Sequence, residues 1–395
     1  MSRLEELIAE LCPDGVEYKK IKDSYKRLQG TPITAGKMKE IDKIDGDIRI
    51  FAGGKTVISA FEKDIPKANI TRVPAVLVQS RGVIDAVYYE EPFTFKNEMW
   101  AYTAEDKTSV KYLYYVLKRN IQQFRDAASG MGSLPQISLK VTEDFLIPLP
   151  PLPVQREIVR ILDNFTELTA ELTAELTAEL TARKKQYEYY KKLLLNFDGK
   201  QDVQYKWMTL SEVGRVSMCK RIMKSETSPD GEVPFFKIGT FGREPDAYIS
   251  QEKYDEYRKA YSFPTKGDVL ISAAGTIGRT VIYDGEPAYY QDSNIVWIDN
   301  DESKVLNKYL NYCYSMKPWA VSNGGTIARL YNDNINKAKI PVPSLSEQER
   351  IVNILDRFDA LCNDLTIGLP AEIEARRKQY EYYRDKLLTF KEVSK

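Results

Sequence analysis

One offset organises this chain. The segment QREIVRILDNFTEL, starting at Gln155, returns as QERIVNILDRFDAL at Gln348, and ARKKQYEYYKKLLLNF at Ala182 returns as ARRKQYEYYRDKLLTF at Ala375. Both pairs lie 193 residues apart (348 − 155 and 375 − 182), with no gap between them. The same offset sets IPLP at Ile147 on IPVP at Ile340, VLVQSRGVI at Val76 on VLISAAGTI at Val269, and, more loosely, SGMGSLPQIS at Ser129 on SNGGTIARLY at Ser322. A chain repeated at this length must fold as two like units, because a repeated pattern of apolar positions buries a repeated core. The two copies differ in their variable stretches and agree in their helical ones. Two similar supports are expected to carry two different heads.

The helical regions are the more legible part. Ile158, Ile161, Leu162, Phe165 and Leu168 fall at i, i+3, i+4, i+7 and i+10, and Ile351, Ile354, Leu355, Phe358 and Leu361 repeat them. This is the apolar stripe of an amphipathic helix. Prolines at 148, 150, 151 and 153 predict a helix start just beyond them, and SEQE (Ser346 to Glu349) has the spacing of a capping box in the second copy. Neither Pro nor Gly occurs between Val154 and Phe197, so a single helix of 44 residues is predicted there, about 66 Å long. Gly368 and Pro370 predict a C-cap and a restart in the second copy. Helices this long need a partner in water, and two regions with the same stripe can pack on each other, antiparallel, as a coiled-coil-like rod.

Elsewhere the chain is broken by Gly and Pro and carries short β-rich runs, DIRIFAGG, AVLVQS, GDVLISAAG, TVIYDG and NIVWID, with one helical stretch per half, SVKYLYYVLKRNIQQF and LNKYLNYCYSM. The expected fold class is α+β. Two globular heads (1–152 and 200–345) are separated by two long helical regions (153–199 and 346–395), a pseudo-twofold internal duplication.

Composition and motifs narrow the chemistry. There is no histidine among the 395 residues, and the four cysteines have no CxxC spacing. That removes most zinc sites, every Ser-His or Cys-His pair, and histidine as a general base. Lys plus Arg and Asp plus Glu each number 57, so binding to nucleic acid would rest on local basic patches. No apolar run approaches the ~20 residues of a membrane helix, and MSRLEELIAELCPDG does not read as a secretory leader; a cytoplasmic protein without membrane contact is expected. GTPITAGKM (Gly30 to Met38) has five residues before its second glycine where a P-loop has four, and Met38 replaces the magnesium-binding Ser or Thr. PDGVEYK (Pro13 to Lys19) holds Asp14 and Glu17 too close together to converge from two strands on one metal, and reads as a turn entering a strand. No G-x-G-x-x-G or N-P-P-Y appears, so neither the cofactor loop nor the base clamp of an adenine methyltransferase is present. The chain is expected to be non-catalytic.

Two divergent heads alternating with two near-identical helical regions, IPLPPLPVQREIVRIL and RKKQYEYY among them, with TAEL units in the first, strongly resemble the specificity subunit of type I restriction-modification systems, in particular the IC-like subgroup with tetrapeptide spacers. The resemblance covers the whole chain, and the helical regions carry most of it. It implies target recognition domains gripping the two halves of a split, asymmetric site in double-stranded DNA. It implies helical regions that separate the heads and bind two methylation subunits, and restriction subunits that join that core. S-adenosylmethionine, ATP and magnesium would then belong to those partners, with no cofactor in this chain. Candidate DNA contacts are Ser80, Arg81, Ser133 and Gln136 in the first head and Ser272, Arg279, Thr326 and Arg329 in the second, polar and basic residues beside turn glycines. Candidate partner contacts are Tyr187, Tyr190, Tyr380 and Tyr383 in the doubled RKKQYEYY and RRKQYEYY; the same tyrosines suit a plain bundle core. A duplicated coiled-coil adaptor whose heads bind proteins is the alternative from another class.

The TAEL run places Leu168, Leu172, Leu176 and Leu180 four apart, and Glu167, Glu171, Glu175 and Glu179 in a second row. Each unit turns a helix by about 400° and lengthens it by about 6 Å. Like charges at i, i+4 repel one another and would repel phosphate, so the Glu row is expected to face away from DNA.

Overall fold

A computed structural model describes residues 2–129, 134–198, 203–321, 329–364 and 368–393. The chain forms two compact units, residues 1–176 with 373–395, and residues 177–372.

In the first unit a four-stranded antiparallel sheet has the order Lys26–Leu28, Trp100–Thr103, Ala75–Gln79, Asp85–Tyr89. A three-stranded sheet places Ile48–Phe51 between Val57–Ala60, antiparallel, and Phe93–Phe95, parallel. A short pair, Tyr18–Lys20 with Leu146–Pro148, closes the head beside the helical region. The helix Lys107–Arg119 starts where the Asp106 carboxylate accepts the Thr108 N–H at 2.7 Å and buries Val110, Leu113, Val116 and Leu117. The predicted stretch SVKYLYYVLKRNIQQF is two helices, since Asn120 leaves the helical region and Ile121–Asp126 begins afresh.

The second unit repeats this plan strand for strand. Its four-stranded sheet runs Arg215–Ser217, Ile295–Asp299, Val269–Ser272, Thr280–Ile282. Its three-stranded sheet sets Val233–Phe236 between Tyr248–Ile249, antiparallel, and Tyr289–Tyr290, parallel. Tyr205–Thr209 pairs with Lys339–Pro343. Heads that share little sequence therefore share a topology.

The first helical region is one helix, Leu152–Leu195. It starts two residues before the predicted position because Pro153 fits a first turn, where no N–H partner is needed. The second is two helices, Leu345–Asn363 and Leu369–Leu387. Its N-cap is Ser344, whose hydroxyl accepts the Glu347 N–H; the cap uses the S-x-x-E frame two residues upstream of SEQE, directly after the strand that ends at Pro343. The break comes at Asp364, whose N–H bonds Ala360 O at 3.1 Å, and not at Gly368. Gly368 is needed for space: a Cβ there would lie 2.6 Å from the carbonyl oxygens of Ala360 and Asp364. Pro370 stands in the first turn of the restarted helix.

Each head is held by the start of one helical region and the end of the other. In the first unit Ile158, Leu162 and Leu388 are buried in one core; in the second Ile351, Leu355, Leu195 and Phe197 are buried together. The C-terminal stretch is tied to the first head by Val16 N–H to Lys391 O at 2.9 Å and Arg119 Nη1 to Leu388 O at 2.6 Å. Within the first unit Phe165 meets the Tyr383 ring at 5.8 Å and Thr166 meets the Tyr380 hydroxyl at 3.0 Å. Within the second, Phe358 meets the Tyr190 ring at 5.5 Å and the Tyr187 ring at 6.4 Å. These contacts are the same pair seen twice, because Phe358 is Phe165 displaced by 193 and Tyr383 is Tyr190 displaced by 193. In each unit the paired segments run in opposite directions.

Candidate nucleic-acid interface

The head helix and helical region are locked by one arrangement used twice. The Tyr115 hydroxyl donates to Asp163 at 2.6 Å, and Lys111 pairs with the same carboxylate at 2.8 Å. Tyr312 donates to Asp356 at 2.6 Å, and Lys308 pairs with it at 3.0 Å. Tyr112 and Tyr309 donate to the carbonyls of Pro148 and Pro341 at 3.1 and 2.8 Å. Burial, reinforced by the carboxylate, pushes the Tyr115 and Tyr312 phenols far above their ordinary range. Gln155 and Gln348 cap the doubled proline turns, donating to Pro150 O and Pro343 O at 2.7 and 2.9 Å. A charge-assisted hydrogen bond of this kind contributes about 1.5–3 kcal/mol, so each head is oriented firmly on its support. The signal was present in the sequence as KYLYY (Lys111) and KYLNY (Lys308), but at an offset of 197 and not 193.

On the surface of each head two loop segments meet in a short antiparallel bridge. In the first head Arg81 bridges Gln136, with Ile137 N–H to Ser80 O at 3.0 Å beside it. In the second Ala274 bridges Arg329, with Leu330 N–H to Ala273 O at 2.8 Å. All four positions correspond at the 193-residue offset. The next residue in each first segment is a glycine with positive φ, Gly82 at 77° and Gly275 at 64°, which lets the loop reverse without Cβ strain.

The candidate DNA-contact residues separate into three groups here. Arg81 and Gln136 are exposed and adjacent. Arg329 and Arg279 are half-buried: Arg329 Nη2 donates to Ser293 O at 3.1 Å, and Arg279 Nη1 to Phe241 O at 2.8 Å. Ser80 and Ser272 are buried, with 0% and 2% of their surface exposed. The Ser80 hydroxyl donates to Glu98 O, and that of Ser272 donates to Thr276 O at 2.5 Å and accepts the Arg279 N–H at 2.8 Å. A hydroxyl without free surface shapes its loop, so these two are supports and not contacts. Ser133 and Thr326 lie outside the described residues.

Beside each bridge is an open cleft. The first, about 600 Å³, is lined by Arg27, Gln29, Asn69, Asn97, Gln136 and Ser138 among others. The second, about 650 Å³, includes Arg221, Lys224, Lys237, Gln291, Asn294 and Arg329. They occupy matching places: Gln136 and Arg329 are equivalent, and the loops at 97–99 and 291–294 each precede the second strand of their sheet. The first is rich in amides and the second in cations, some of them paired, as Arg221 with Asp292 at 2.9 Å and Lys237 with Asp246 at 2.8 Å. The Asp292 hydrogen bond raises the Arg221 pKa. Of these amides Gln136 was a candidate from the sequence, whereas Gln29, Asn69 and Asn97 escaped it because no repeat or motif marks them.

The candidate partner tyrosines lie in the helix seams. Tyr187, Tyr190 and Tyr380 are half-buried and Tyr383 is 41% exposed, against the rings and hydroxyl given above. The outward faces belong instead to Tyr189 and Tyr382, each 63% exposed.

No group of three or more His, Cys, Asp or Glu suited to a metal occurs among the described residues, and no helix there is long and apolar enough to cross a membrane. The fold and twin clefts define a duplicated, two-headed binding scaffold. The family model for the type I restriction modification DNA specificity domain matches twice, at residues 13–182 and 202–375. A protein of Haemophilus influenzae described as a type I restriction enzyme specificity subunit is 54% identical over 303 residues, 75% of this chain and 77% of that one. A type I restriction enzyme specificity subunit of Escherichia coli is 34% identical over 305 residues, 72% of each chain. Among solved structures, a chain from a study of complex assembly and conformational transition in the type I restriction-modification system is similar at a TM-score of 0.66 and 17% identity, covering 95% of this chain and 98% of that one. The HsdS subunit from Thermoanaerobacter tengcongensis is similar at a TM-score of 0.52 and 16% identity, covering 96% and 97%. The chain belongs to the specificity subunits of type I restriction-modification systems.

Proposed function

We propose that this chain selects the DNA site for a type I restriction-modification complex without performing chemistry itself. Each head reads one half of a bipartite, asymmetric duplex site, and the helical regions set the distance between the halves and carry two methylation subunits. Restriction subunits join that core. S-adenosylmethionine, ATP and magnesium act on those partners, in the cytoplasm where the DNA is. The observation that carries this reading is the pair of equivalent clefts on one topology, lined by different residues. Two binding sites of the same geometry and different chemistry suit two different base sequences. The TAEL run supports the reading that this chain is of the IC-like subgroup with tetrapeptide spacers.

Binding by the chain together with its methylation subunits, on duplex DNA over a range of salt, tests this. Affinity for DNA carrying the site should fall steeply with salt and exceed that for unrelated duplex, and the chain alone should transfer no methyl group from labelled S-adenosylmethionine. Salt-independent binding of a protein ligand by the heads would favour the adaptor.

A further inference from the structure

We infer that the surface bridge in each head is the element that reads bases, with Arg81 and Arg329 each taking a guanine and Gln136 an adenine. This rests on the DNA-reading role proposed above and assigns it to particular atoms. The bridges are equivalent in fold, being Arg81 opposite Gln136 and Ala274 opposite Arg329. Each holds one arginine, and the two arginines come from opposite sides of the bridge.

Opposed residues on such a bridge have Cβ atoms about 5 Å apart, and stacked base pairs are about 3.4 Å apart. Two side chains from one bridge therefore reach neighbouring base pairs. The guanidinium fork matches the O6 and N7 acceptors of guanine, and the glutamine amide matches N6 and N7 of adenine. In the second head Ala274 gives a methyl beside Arg329, suited to the thymine methyl group.

The surroundings favour reading over mere attraction. Arg81 is exposed and forms no ion pair among the described residues. Arg329 is oriented by Ser293 O at 3.1 Å and Asn294 Oδ1 at 3.4 Å, both bonded to Nη2. Nη1 and Nε are open but lie on different edges of the group, so a bidentate contact with a guanine in the cleft it lines requires Nη2 to exchange its longer bond, to Asn294 Oδ1, for the base. A fork held in place at one nitrogen is a directional reader, whereas a phosphate contact needs only charge.

The test uses the complex of this chain with its methylation subunits, treating genomic DNA whose methylated adenines are then mapped, for wild type and for R81Q, Q136A, R329Q and R329K. R81Q should weaken the preference for guanine at one position of one half-site by about 5- to 150-fold, and R329Q should do the same in the other half-site alone. Q136A should relax an adenine beside the position that Arg81 reads. R329K keeps the charge and loses the fork, so it should relax the same base as R329Q. Unchanged base preferences with weaker, less salt-sensitive methylation would place the arginines on phosphates and overturn the inference. So would complete loss of methylation in a variant that remains folded by circular dichroism and still binds its partners. Absence of any sequence preference in the wild-type complex would instead overturn the DNA-reading role itself.

Discussion

Deleting one TAEL unit, residues 173–176, should shift the unread gap between the half-sites by about one base pair and leave both half-sites unchanged. The run lies wholly within the unbroken helix Leu152–Leu195, so removal of four residues turns one flank against the other by about 400° and draws it in by about 6 Å. The net turn is about 40°. The winding is visible in the molecule: Leu168 is 59% exposed, Leu172 half-buried, Leu176 only 8% exposed, and Leu180 half-buried again. Leucines spaced by four thus pass into the seam and out of it. One base pair advances about 3.4 Å and turns about 35°, taking 10 to 10.5 pairs per turn. Rotation matches one base pair closely while translation would match nearly two, and rotation governs because a head must face its groove to read it. Glu167, Glu171, Glu175 and Glu179 are all exposed, so the deletion removes no buried charge. Every remaining position in the run also keeps its residue type. Stability should therefore change little. Mapping methylated adenines after treatment with the variant complex decides it: an unaltered gap, or an altered half-site, would refute the reasoning.

Other outcomes follow from the seams and the buried groups. Tyr190→Ala and Tyr383→Ala each remove an aromatic pair that contributes about 1 kcal/mol beyond its buried area, and each should lower Tm by about 2–4 °C in a thermal scan; a change in neither would show that the seam does not hold the heads. Burial pushes Tyr102 and Tyr187 up to about 12. Since the unfolded phenol ionises near 10, their contribution to stability is whole below pH ~10 and is lost as pH rises toward 12, which denaturation at stepped alkaline pH would reveal as a falling midpoint. Cys219 and Cys313 are buried with thiols pushed up to about 12, so a thiol reagent near neutral pH should leave both unmodified until denaturant is added. Mass measurement of the assembled complex should give two methylation subunits per chain, and a single copy would contradict the doubled support.

What could be read from the sequence depended on how strongly each copy was held to the other. The helical stripe at Ile158 and Ile351 and the strands at Val76 and Val269 keep a strict offset, because each serves the same packing in both units. The head helices moved to an offset of 197, which hid the anchoring Tyr115 and Tyr312 from an alignment built on 193. Which helix packs on which was not legible either. Phe165 could have met Tyr190 or Tyr383 equally well, since their local sequences are nearly identical, and only the fold selects Tyr383. The same near-identity left the seam tyrosines open to either reading, bundle core or partner surface, while Tyr189 and Tyr382, one residue away from a seam position, are each 63% exposed. Among the candidate contacts, Ser80 and Ser272 showed polarity but not burial, which depends on the carbonyls of Glu98 and Thr276 folding over them.

The central claim is that two heads of one topology read two different halves of one DNA site. The most direct measurement is single-molecule mapping of methylated adenine in genomic DNA treated with the wild-type chain and its methylation subunits, alongside a complex in which residues 1–146 are exchanged for the head of a relative. The account predicts one bipartite, asymmetric motif with an unread gap for the wild type, and a change confined to one half-site after the exchange. A continuous or palindromic motif, or an exchange that alters both halves, would contradict it.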